Sequence, residues 1–223
     1  MYEQEGICVS SRSPLTPAIR KTLANTFITV AGMLALTAAV GWAMIGRQIG
    51  TMGFIGLFVG SIALIFLLRA TKDSAWGLGV LAAFSATIGA LLGPSLTHHL
   101  SVANGAQIVA VAFGLTAAVV LGCAAYTLTT RRDFKNLHAI LFAGLIVLVL
   151  AMLLNLFLAI PALSLTFSAV AALLFTGWLL YDLSEVIHGR ETNYLVAAIN
   201  VYLDVVNLFS SILNLLGFGL SDD

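Results

Sequence analysis

The sequence predicts an all-α integral membrane protein, a bundle of seven transmembrane helices, and not a soluble enzyme. Three observations predict it. Of 223 residues, 60% are apolar and only 9% charged, where a soluble domain carries about 25% charged residues. So little charge cannot cover a surface that faces water, so lipid is the expected solvent. The uncharged stretches are long enough to cross a bilayer, and nine of the ten basic residues fall on alternate connections.

The elements follow in order. Residues 1–21 are polar and basic and read as a cytoplasmic N-terminal tail. The apolar run Thr22–Ile45 is longer than the roughly 7–15 residues of a signal-peptide core and carries no charge, so it is the first span. Ile49–Leu68, Ser74–Thr97 and Val102–Thr130 are the next three. The run Asn136–Tyr181 has 46 residues, about 69 Å as one helix and more than two bilayer cores. It must fold back, and Ala159-Ile160-Pro161 is the place, because proline ends helices and begins new ones. Tyr194–Gly217, interrupted only by Asp204, is the seventh span, and 218–223 form a short tail.

The basic residues test this count. With the N-terminus cytoplasmic, the inside segments hold Arg12, Arg20, Lys21, Arg69, Lys72, Arg131, Arg132, Lys135 and Arg190, and the outside ones only Arg47. That is the positive-inside pattern, and it puts the C-terminus outside. Zero formal net charge excludes a nucleic-acid binder. The connections are too short for a soluble domain. Cys8 and Cys123 form no ligand spacing or disulfide framework and are structurally incidental. Gly46, Gly50, Gly53, Gly56 and Gly60, and again Gly89 and Gly93, recur on helical spacing and are read as close-packing positions between helices.

Within the spans, the polar residues are the informative ones. Asp204 falls near mid-bilayer, where even insertion scales charge an aspartate about 2.5–3.5 kcal/mol, so it faces the bundle and has partners. Asn193, Asn200, Asn207 and Asn214 recur every seven residues, with Asp204 and Ser211 between them. At about 100° per residue these six fill a sector roughly 80° wide. Amides alone serve as interhelical glue, whereas a carboxylate in their midst favours an ion or proton path. Asp182, at the end of the preceding span, is the expected partner. For straight antiparallel helices the two depths differ by roughly 7 Å, a gap that tilt or an irregular turn removes. Thr192 or Asn193 is placed to cap the last helix. Two carboxylates in a low-dielectric site do not both ionise freely, so they titrate as one unit. Arg69, at the end of the second span, is either a headgroup anchor or a latch across the acidic pair. His98 and His99 point apart and are given no role; His138 and His188 lie near the interface, tied to no site. No phosphate loop, Ser/His/Asp set or His-Glu-x-x-His helix is present.

Tyr181-Asp182, Tyr202-Leu203-Asp204-Val205-Val206-Asn207-Leu208-Phe209, Leu92-Gly93-Pro94, and Tyr126-Thr127-Leu128-Thr129-Thr130-Arg131-Arg132-Asp133 resemble the transmembrane Bax inhibitor motif family. Its bacterial members are called YccA-like or YetJ-like, and His188-Gly189-Arg190-Glu191-Thr192-Asn193-Tyr194 looks most like the YccA branch. The resemblance covers the chain from about Leu23 onward. It implies a seven-helix bundle with the last helix central.

For the YetJ type it further implies a pH-sensitive calcium leak channel, with Asp182 and Asp204 as sensor and Arg69 as latch. For the YccA branch it implies association with the membrane protease FtsH. The leading expectation is a calcium leak channel of the bacterial inner membrane, gated by the aspartate pair, with Asn200, Asn207, Ser211 and Asn214 lining the path. In that reading Asp182 and Asp204 bind calcium weakly and transiently; calcium is the permeant ion, and no resident cofactor is needed. The alternative is a non-conducting regulator that binds an FtsH-type protease through the N-terminal tail. A solute or proton-coupled transporter is a third class.

Overall fold

A computed structural model describes residues 15–102 and 104–218. Seven helices run in chain order: α1 (Pro17–Ala43), α2 (Thr51–Thr71), α3 (Trp76–Leu100), α4 (Gly105–Thr130), α5 (Leu137–Leu158), α6 (Pro161–Ile187) and α7 (Tyr194–Phe218). All seven are long and apolar enough to cross a membrane, and no strand occurs among the described residues.

The fold-back inside the long apolar run falls at the expected proline. α5 ends at Ala159 in the left-handed region (φ 52°), and Pro161 opens α6. Asn155 holds this turn: its Oδ1 accepts from Ile160 N (3.2 Å) and its Nδ2 donates to Ser164 Oγ (2.9 Å). In lipid no water is at hand for a broken helix end, so a side chain supplies the partner. At the N-terminus the expected boundary moves. α1 starts at Pro17, behind a Thr16 cap, so Arg20 and Lys21 ride on its first turn and not on a tail. Long basic side chains reach the interface from a helix end, so their charge does not end the helix. The rest of the expected tail, Cys8 and Arg12 included, and residues 219–223 lie outside the described residues.

α7 is the centre of the bundle. It packs against α6, α4, α1 and α3, while α2 is held chiefly by α3 and α5 by α6. In its core stretch 61% of α7 is buried, against 11–33% for the other six helices. Tyr202 of α7 is fully buried and meets Phe84 edge to face, ring centres 5.9 Å apart. Thr37 Oγ1 donates to Ser85 O (3.0 Å), so its hydroxyl is left to accept from Tyr202 Oη. One buried polar node thus ties α1, α3 and α7, because polar groups in lipid must find partners within the protein.

The glycines divide in two. A Cβ on Gly89 would stand 2.6 Å from Thr37 O and 3.2 Å from Gly41 N, and one on Gly93 would stand 2.5 Å from Met44 Cβ. These two make the close α1–α3 crossing. Gly46, Gly50, Gly56 and Gly60 meet nothing within 4 Å, and Gly53 only Ile49 nearby in sequence. The packing role read for that run is therefore corrected. The run starts at a turn, where Gly46 has φ +74°, and continues on an outer helix, so small size there brings no neighbour closer.

The two glycine classes should respond oppositely to one methyl group. Gly89→Ala forces backbone apart and should cost about 1–3 kcal/mol. Gly60→Ala adds helix propensity and should be neutral or gain up to about 1 kcal/mol. Thermal unfolding midpoints in detergent check both; equal shifts would contradict this assignment.

Candidate functional site

Asp182 stands five residues before the end of α6 and Asp204 ten residues into α7. The turn between them is irregular. Gly189 has φ +70°, and the backbone N–H groups of Arg190 and Glu191 both donate to Glu185 O (2.9 and 3.1 Å). Asn193 caps α7, as one of the two expected positions: its Oδ1 accepts from Leu195 N (2.9 Å) and Val196 N (3.3 Å). Its Nδ2 donates to Lys72 O (3.0 Å) and Asp73 Oδ1 (3.1 Å), which fastens the start of α7 to the α2–α3 connection.

The depth gap expected for straight helices is closed: the carboxyl groups of Asp182 and Asp204 are hydrogen-bonded to each other. Asp204 is buried (5% exposed), and no N–H or O–H donor among the described residues reaches its Oδ2. Two carboxyl groups bond to each other only when one carries a proton.

Asp182 also lines a cavity of about 160 Å³ with Tyr181, Glu185, Arg190, Glu191, Ala197 and Asn200. Glu185 and Glu191 are the further charges that bear on Asp182. Arg69 is not among them. It sits in the last turn of α2, exposed, at the expected end of the bundle but on an outer helix that leans on α3. The structure does not bring the expected latch to the pair.

The guanidinium at this site belongs instead to Arg190. Its Nε donates to Glu185 Oε1 (2.7 Å), its Nη2 to Asp133 Oδ1 (2.8 Å) and its Nη1 to Asp133 Oδ2 (3.2 Å). The N–H of Lys135 and this guanidinium hold the Asp133 carboxyl below the usual carboxylate range. Burial works against the charge of Arg190, but the Asp133 and Glu185 carboxylates outweigh it and raise its pKa. Sequence reading left these loop charges out of the site. Their signal was present: in a chain with 9% charged residues, Asp133, Arg190 and Glu191 fall in two short connections on one side, with Glu185 in the last turn of α6 beside them.

The asparagine stripe is only partly a lining. Asn200 faces the cavity at the α6–α7 end. Asn214 faces a second cavity, about 580 Å³, at the opposite end beside Asn155, Ser164, Ser168 and Pro161. Between them Asn207 Nδ2 donates to Leu203 O and Ser211 Oγ to Asn207 O, both within α7 (2.8 and 2.7 Å). The two cavities share no lining residue. Among the described residues no group of three or more His, Cys, Asp or Glu side chains gathers as a metal site, and two carboxyl groups fall short of the six to eight oxygens calcium takes.

The histidines and the second cysteine have structural settings. His99 is buried, its Nδ1 2.8 Å from Ser95 O, and its ring lies against Gly217. His138 packs on Phe142, Trp178 and Tyr181. His188 Nδ1 lies 2.8 Å from Ser184 O, and Cys123 is buried in α4.

Fold and site together define a class: a polytopic helical membrane protein whose buried central helix carries an aspartate that meets a second one from the helix before it. Within that class the chain belongs to the Bax inhibitor family. The family described as "Inhibitor of apoptosis-promoting Bax1" matches residues 19–221. The chain is similar to the "Modulator of FtsH protease YccA" of Escherichia coli strain K12, 39% identical over 91% of this chain and 92% of that one. It is also similar to the "Inner membrane protein YccA" of E. coli O6:H1, with the same identity and coverage. A third relative is an uncharacterized membrane protein of Vibrio cholerae, 37% identical over 91% of this chain and 92% of its own.

The depressed Asp133 pKa sets a pH dependence. A carboxyl that is more acidic folded than unfolded adds stability above its ordinary pKa of about 3.9 and loses it as pH falls through the folded value. Asp133→Asn should therefore lower the unfolding midpoint at pH 7, with the difference from wild type closing below about pH 4. Midpoints measured from pH 3 to 8 check it; a difference that does not shrink between pH 5 and pH 3 would contradict it.

Proposed function

We propose that this chain is a regulator of an FtsH-type membrane protease, seated in the bacterial inner membrane with its N-terminus cytoplasmic and its C-terminus outside. The observation that carries this reading is the full-length likeness to a protein named for modulating that protease. The seven spans with short connections agree with a partner that works inside the bilayer. Nine of ten basic residues on alternate connections support the orientation. In this role the chain catalyses no reaction and needs no cofactor; lipid and the protease are its partners. The polar segment before α1 is the handle it offers. Full-length chain should co-purify with an FtsH-type protease and slow degradation of a membrane substrate several-fold, and a chain lacking residues 1–14 should lose both effects. Absence of binding and of any change in degradation by the full-length chain would remove this reading.

A second reading, a pH-sensitive calcium leak, is favoured by the Asp182–Asp204 carboxyl pair. In this reading a change in the number of protons on the pair changes how α6 meets α7 and admits a weakly bound cation from the Asp182 cavity, weak binding being what passage requires. Calcium entry into proteoliposomes across pH tests it. Wild type should vary several-fold with pH and Asp204→Asn should not; equal, pH-independent flux would remove it.

A further inference from the structure

The cavity beside Asp182 is roofed by charges that neither functional reading uses. Glu185 and Arg190 line it, but Asp133, the other anchor of the guanidinium, does not. Arg190 therefore stands between the cavity and the α4–α5 connection, with Glu185 as its second anchor. The α4–α5 connection is docked on the end of α6 by little else that is polar. Phe134 N donates to Ser184 Oγ (3.2 Å), Ser184 Oγ lies 3.4 Å from Arg132 O, and the Phe134 side chain is buried. Ala197 also lines the cavity and is only 2% exposed.

We propose that the Asp133–Arg190–Glu185 ion cluster is a strap that closes this cavity over Asp182. An isolated surface ion pair is worth about 0–1 kcal/mol. This one is bidentate to Asp133, shared with Glu185, and two-thirds shielded, with side chains 33%, 35% and 19% exposed for Arg190, Asp133 and Glu185. Bidentate and networked geometry is where such contacts do hold. The strap is charged across the physiological range, because Asp133 is unusually acidic and Arg190 unusually basic. Ionic strength, or a partner that competes for the Arg190 guanidinium, opens it; mild acidification does not. By holding Arg190 outward, Asp133 also keeps that cation bonded away from Asp182.

The test is thiol access to the buried lining of the cavity. Ala197→Cys is placed in the full chain with Cys8→Ala and Cys123→Ala, in lipid nanodiscs that expose both faces, and reacted with a polar maleimide. Asp133→Asn and Arg190→Gln should each speed labelling about fivefold. The double variant should be no faster than the faster single, because both break one strap. Lys135→Gln, which removes one positive charge as Arg190→Gln does but lies outside the ion cluster, should change nothing. Unchanged labelling in both strap variants, multiplicative rates in the double, or an equal rise with Lys135→Gln would each overturn the proposal. Should the cysteine at 197 impair folding, the same variants are compared by modification of Asp182 with a water-soluble carbodiimide, read by peptide mass spectrometry, with the same outcomes deciding.

Discussion

The structure depends on the need to satisfy polar groups on its central helix, the most deeply buried of the seven. α7 runs through the middle of the bundle and carries Asp204 and Tyr202 on different faces. Each finds its partner on a different neighbour: Asp182 of α6 for the carboxyl, Thr37 of α1 for the phenol. In a low-dielectric interior an unpartnered polar group is costly. These two contacts therefore fix the rotation and depth of α7, and its neighbours follow. Asn193 sets the start of the helix from a third direction by joining the α2–α3 connection.

The charged residues form a separate layer with different physics. Asp182 and Asp204 meet where α6 packs on α7, whereas Asp133, Glu185 and Arg190 sit in the partly wet rim, where full ionisation is cheap and Coulomb attraction is screened. In the readings proposed above, the pair is the element that answers to protons and the rim is the one that answers to salt and to competing charges. A regulatory protein and a gated leak would each have use for both, since each needs an inner element with two states and an outer contact that biases it.

Much of this was legible. The seven spans, the break at Pro161 and the cap at Asn193 follow from length, proline chemistry and capping chemistry, which act within a few residues of chain. The seven-residue spacing likewise confines the polar stripe of α7 to one face, but it does not say where that face turns: Asp204 and Ser211 are buried, whereas Asn200 and Asn214 are exposed. The partnership of Asp182 and Asp204 was half legible: the spacing put them within reach, but the irregular turn at Gly189–Arg190 brought them together. Arg69 was read as the latch because it lies at the right end of the chain's topology, and end is all that topology specifies. The α2 glycines were read as packing positions because small residues permit contact. They do not create it.

By itself, then, the amino-acid sequence determined how many times the chain crosses the bilayer, where it turns and which face of its last helix is polar, because bilayer thickness and helix period act on neighbours in sequence. Only the tertiary structure decided which guanidinium stands beside Asp182, which glycines touch, and that the polar stripe opens into separate cavities at its two ends. Those outcomes rest on which helices are adjacent. A helix on the outside and one on the inside can carry the same residues at the same depth, and only packing tells them apart.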